Sequence, residues 1–123
     1  ATIGDGNAVL TITDDDAPPP GPRIAFESDA AGTTDIWAIS PDGRGLQQIT
    51  NDAVTERYPT SSPTGSHIAY VHDAVTIRIA AVDGLTPPVD VTTEASSVSG
   101  LDFSPDGTRL LFSRNAGVSG FDI

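Results

Sequence analysis

Two Ser-Pro-X-Gly turns, each leading into a short apolar strand, recur at nearly constant spacing in this chain of 123 residues. Ser62-Pro63-Thr64-Gly65 precedes Ile68-Ala69-Tyr70, and Ser104-Pro105-Asp106-Gly107 precedes Leu110-Leu111-Phe112. Ile24-Ala25-Phe26 is a third copy of the strand without its turn, so the three strands open at Ile24, Ile68 and Leu110. Two other landmarks keep the register. Asp42-Gly43 recurs as Asp83-Gly84, and Ile49-Thr50 as Val91-Thr92, at almost the same interval. A period of roughly forty residues marks stacked supersecondary units that bury their faces only against their neighbours.

The turns are chemically coherent. Pro presets φ for the second turn position, Asp bonds back to the backbone, and Gly accepts φ > 0. Between them lie β-type runs near Arg57 to Ser61, His67 to Val71, Thr76 to Val82 and Val89 to Thr92. No segment sustains a 3.6-residue apolar period. Small residues at matched places, Ala25 with Ala69 and Ala38 with Ala80, fit strands covered on both faces. The expected fold is all-β, a partial β-propeller of about two and a half four-stranded antiparallel blades, since a closed ring takes roughly 160 residues or more.

Charge narrows the partners. The net charge is -11 and all six basic residues are Arg. Nucleic acids and anionic lipid surfaces, which attract clustered Lys and Arg, are disfavoured. Cations and basic protein surfaces are the complement, although such charge serves solubility first. No apolar run approaches the ~20 residues that cross a bilayer as a helix. Cysteine is absent, which removes disulfides and thiolate chemistry.

The composition breaks at residues 17–22, where Pro18-Pro19-Pro20-Gly21-Pro22 reads as a semi-rigid linker. Before it, Ala8 to Thr13 is a β-branched strand entered through a Gly-Asp-Gly-Asn turn and closed by Asp14, Asp15 and Asp16. One strand cannot fold alone, so it belongs to a sheet that this chain does not encode.

Several motifs in order carry a resemblance. Ile36-Trp37-Ala38-Ile39-Ser40-Pro41-Asp42-Gly43, Gln48-Ile49-Thr50, Tyr58-Pro59, Ser62-Pro63-Thr64-Gly65 and Ile68-Ala69-Tyr70 together resemble the WD40-like repeats of TolB-type β-propellers. The likeness covers about residues 23–123. Ser61 departs from it, standing where the family carries Trp, while Phe103 fills that place in the next copy. Residues 1–16 resemble the last strand of a Calx-β domain. Together these resemblances imply blade 1 at about 23–56 without an inner strand, a complete blade 2 at about 57–97, and blade 3 at about 98–123 without its outermost strand. Such a piece is expected to be an excised fragment or a protomer completed by other copies.

The Calx-β likeness implies that Asp14, Asp15 and Asp16 contribute to calcium binding. Calcium takes about six to eight oxygens, so in this chain the strand end reads first as a solvated acidic boundary and only second as part of a calcium site. His67 and His72 are five apart in one strand and point to opposite faces, so they do not share a metal. No Gly-X-Ser-X-Gly elbow or phosphate loop is present, and no cofactor beyond calcium is implied. The chain is therefore read as a non-enzyme.

What remains is binding through loops. By the resemblance, loops at one end of the blades, residues 28–35, 51–56, 72–75 and 93–97, form the contact face. Asp29, Asp35, Asp52, Glu56, His72, Asp73 and Glu94 are the candidates for meeting a basic partner or a cation, each against the plainer role of a solvated loop residue. The reading is a protein-interaction or ligand-binding module of a larger protein, which the resemblance places as secreted, periplasmic or at the cell surface, with a protein partner or self-association. Two alternatives stand beside it: the accessory propeller of a serine peptidase-type hydrolase, and a structural protomer that donates Ala8 to Thr13 to a neighbour.

Overall fold

The computed structural model describes residues 21–94, 96–114 and 117–122. Among them the chain is all-β, without helix: β1 Ile24–Ser28, β2 Asp35–Ile39, β3 Gln47–Gln48, β4 Glu56–Ser61, β5 His67–His72, β6 Thr76–Ala81, β7 Val89–Thr93, β8 Val98–Phe103, β9 Arg109–Arg114 and β10 Gly117–Asp122. The four strands read from the sequence between positions 57 and 92 are β4 to β7, with ends displaced by a single position. They form three antiparallel sheets, β1-β2-β3, β4-β5-β6-β7 and β8-β9-β10. None of the three closes on itself.

The repeat sets which strands are equivalent. Ile24, Ile68 and Leu110 put β1, β5 and β9 in one class. The place that β4 holds beside β5, and β8 beside β9, therefore has no strand beside β1 among the described residues. The third sheet likewise shows no counterpart of β7 among them.

Each Ser-Pro-X-Gly turn closes the hairpin after it by the same bonds. Gly65 N donates to Ser62 O at 2.9 Å, while the Ser62 hydroxyl accepts from His67 N at 3.1 Å. Gly107 N donates to Ser104 O at 2.9 Å, and Ser104 Oγ accepts from Arg109 N at 3.0 Å. The serine thus holds both ends of the turn, which explains its recurrence better than polarity alone. Gly65 has φ 74, and a Cβ there would fall 1.9 Å from Gly21 O, so no side chain fits.

Two cores flank the central sheet. Successive residues of β5 point to opposite faces. Ile68 and Tyr70, with Ala80 and Val82, pack on Ile36 and Ala38 of the first sheet. Ala69 and Val71, with Ile77, pack on Val98, Leu110 and Phe112 of the third. Both faces of β5 are covered, as its unbroken apolar run requires. Burying the larger of these side chains stabilises by about 1.5–3 kcal/mol each, and the alanines on each face let the sheets approach closely. Polar bonds cross the same interfaces: Glu56 N donates to Thr34 O at 2.9 Å, and Val98 N to Ala74 O at 2.9 Å. One end of the stack is thereby fixed where the loop candidates lie.

Candidate functional site

The candidates divide by burial. Asp29, Asp52 and Asp73 are exposed, Glu94 is half-buried, and Asp35, Glu56 and His72 are turned inward at 0%, 0% and 9% exposure. The sequence places the last three on open loops, and the structure corrects this. They begin or end strands, Asp35 opening β2, Glu56 opening β4 and His72 closing β5, where the stacked sheets cover them. Asp14, Asp15 and Asp16, with the possible calcium site, lie outside the described residues.

Strand register brings the central pair together. Glu56 and His72 are direct partners across β4 and β5. His72 Nδ1 lies 2.8 Å from Glu56 Oε1, with the two side chains 11% and 1% exposed. An ionised carboxylate only accepts, so with Glu56 charged the imidazole carries its proton on Nδ1. Glu56 Oε2 is buried without a hydrogen-bond partner. Burial pushes the Glu56 carboxyl above its ordinary value; the Thr50 and His72 side chains oppose this, and the Asp52 charge adds to it. Tyr70, on the same face of β5 as His72, is raised by burial first and then by the Glu56 charge.

Asp52 approaches from the loop after β3. Its Oδ1 accepts from Val54 N at 2.8 Å, which fixes a local turn, and Thr33 Oγ1 donates to its carbonyl at 3.0 Å. One ligand atom each from Asp52, Glu56 and His72 lie within 4.8 Å of one another. Among the described residues, Asp35 is linked to this group only through the Thr50 side chain. It accepts from Gln48 Nε2 at 3.3 Å and from Thr50 Oγ1 at 3.4 Å, and Thr50 Oγ1 in turn accepts from Ile36 N at 2.9 Å. Asp35 is thus part of the wiring of the first sheet.

The next interface repeats the arrangement with other side chains. Glu94, Val98 and Arg114 stand one repeat after Asp52, Glu56 and His72, all three at the same offset. Arg114 NH1 donates to Glu94 Oε2 at 2.9 Å, and Thr92 Oγ1 to Glu94 Oε1 at 3.0 Å. One carboxylate thus meets one guanidinium. Sequence reasoning sets His72 and Arg114 at one repeat position but does not join His72 to Asp52 and Glu56. What joins them is the pairing of β4 with β5 and the loop before β4, which no sequence pattern marks.

At the second interface a cleft of about 270 Å³ opens between the second and third sheets, lined by Tyr58, Asp73, Ala74 and Ser97 among others. The exposed acid Asp73 lines it, and Arg57 is the basic residue of its wall.

Comparison with known proteins agrees with the repeat and goes little further. A 42-residue stretch, 34% of the chain, is 40% identical to the Tol-Pal system protein TolB of Anaeromyxobacter dehalogenans strain 2CP-1, and the same holds for strain 2CP-C. Part of the chain is similar to TolB. An uncharacterized protein of Agrobacterium fabrum is 27% identical over 112 residues, 80% of this chain. The chain spans 38% of that relative and the match 10% of TolB. No protein-family model matches, and none of the matched proteins is named for a Calx-β domain.

Proposed function

We propose that this chain is a non-enzymatic interaction module, a propeller portion of a larger secreted, periplasmic or cell-surface protein, which meets a basic protein surface through the loop end of its stacked sheets. The TolB-like stretch supports the propeller and the location. The observation that carries the reading is the cleft lined by Asp73, on a rigid stack whose central strands are covered on both faces. Loops held by such a scaffold bind without rearranging it. Charge complementarity then supplies attraction that weakens with salt.

The test is binding of a fluorescent oligo-arginine peptide, followed by anisotropy. Saturable binding is expected, weakening as salt is raised and reduced in the Asp29→Asn, Asp52→Asn, Asp73→Asn triple variant. Equal binding by that variant would exclude the loop end as the contact surface.

A second reading has its own support, the edge of β1 where the first sheet has no equivalent of β4 among the described residues. Such an edge pairs readily with another strand, so the chain self-associates. Light scattering that gives the monomer mass at every concentration would remove this reading.

A further inference from the structure

The two sheet interfaces differ in charge at one equivalent place. At the second, Glu94 is answered by the fixed cation of Arg114 across 2.9 Å, and Val98 adds nothing. At the first, two carboxylates, Asp52 and Glu56, face one imidazole, and among the described residues no Lys or Arg is bonded to any of the three. A buried carboxylate is costly unless its lone pairs are satisfied. Glu56 leaves Oε2 without a partner at 0% exposure. The guanidinium that feels the Glu56 charge, Arg78, is paired with Asp90, so the two carboxylates lack a cation bonded to them as Arg114 is to Glu94.

We infer that Asp52, Glu56 and His72 form a binding site for a divalent transition-metal ion of the Zn²⁺ class, which takes the place held by the Arg114 guanidinium at the next interface. The donor chemistry favours zinc over calcium. Imidazole nitrogen and carboxylate oxygen are both zinc ligands, whereas calcium seeks six to eight oxygens. Around zinc, with bonds of about 2.0–2.2 Å, tetrahedral ligand atoms stand roughly 3.3 Å apart. The three groups now lie within 4.8 Å, so closure asks for a shift of the order of an ångström. Asp52, on an exposed loop, makes it at the expense of the bond its Oδ1 accepts from Val54 N. Water fills the remaining coordination position.

Isothermal titration of the whole chain with ZnCl₂, after chelator treatment and its removal, tests this. One equivalent is expected to bind, and Asp52→Asn, an exposed change that leaves the fold intact, is expected to weaken binding about tenfold or more. His72→Arg installs the second interface's cation and is expected to abolish binding while the melting temperature holds. His67→Ala, at the far end of β5, should bind zinc as the parent does. The assignment is overturned if zinc at millimolar concentration gives no saturable heat, if Asp52→Asn and His72→Arg bind it unchanged, or if His67→Ala is the variant that loses it. Calcium binding in place of zinc at these residues would overturn it equally.

Discussion

Tyr58 and Gly100 occupy the same place in successive sheets, one repeat apart, and both take left-handed backbone, with φ 56 and 89. Each sits in a break of strand register, between Arg57 and Thr60 in β4 and between Val98 and Leu101 in β8. The bulge is therefore a feature of the repeat. At Tyr58 its backbone N–H is turned across to the first sheet, where Glu27 Oε1 accepts it at 2.8 Å.

Glycine reaches this conformation freely, and other residues at a cost of about 1–2 kcal/mol. Gly100→Ala is expected to destabilise by about that amount. Its new Cβ meets Ser113 Oγ only at 3.4 Å, so the penalty is conformational and not a clash. Tyr58→Gly relieves the φ strain but loses a side chain that is only 39% exposed and loosens the unfolded chain, so it too is expected to destabilise, by about 1–3 kcal/mol. Urea unfolding of both variants checks the pair. Gly100→Ala without loss would show that the bulge conformation is not what matters.

The central strand offers a second contrast. Ile68 is wholly buried between the first two sheets, whereas Leu111, on the equivalent hairpin of the third, is 57% exposed. Ile68→Ala is expected to cost about 2–5 kcal/mol through lost burial and the cavity left behind, and Leu111→Ala under about 1 kcal/mol. Thermal melts of both variants read the difference directly. Leu111→Ala as damaging as Ile68→Ala would mean that the third sheet's outer face is covered in solution.

The architecture is legible in the sequence because its signal repeats. Ser62 and Ser104 recur with their glycines, and backbone rules fix what such turns do, so strands β4 to β7 fall within one position of where the pattern puts them. The site is less legible. Asp35, Glu56 and His72 are polar residues near turn formers, and local pattern assigns such residues to solvent. Their burial comes from the neighbouring sheet, which covers the strand ends. The convergence of Asp52 on Glu56 and His72 depends on the pairing of β4 with β5, which no local window contains.

Glu56 should be visible in the pH dependence of stability. Burial raises its pKa, so its contribution is fully present below the unfolded value of 4.5 and is lost as pH rises through the higher folded value. Glu56→Gln cannot ionise, yet it keeps an oxygen to accept from His72. In metal-free buffer the variant should gain stability relative to the parent as pH climbs from about 4 to 7. Denaturant melts at several pH values measure this. A stability difference independent of pH would mean that the charged form is satisfied in a way the geometry does not reveal.

Ser61 precedes the turn of the second sheet at the place where Phe103 precedes that of the third. Phe103 packs against the second core, but Ser61 is half-buried and its hydroxyl is enclosed without a hydrogen-bond partner. A polar atom left unsatisfied away from water costs about 1–3 kcal/mol, and a methyl group in its place costs nothing comparable. Ser61→Ala is therefore expected to raise stability by about 1 kcal/mol, against the usual direction of substitutions in covered positions. Its backbone pairing with Ile68 does not involve the side chain and is retained. The check is the midpoint of urea unfolding at unchanged slope. A lower midpoint would show that the hydroxyl has a partner in solution, most simply an ordered water between the first two sheets.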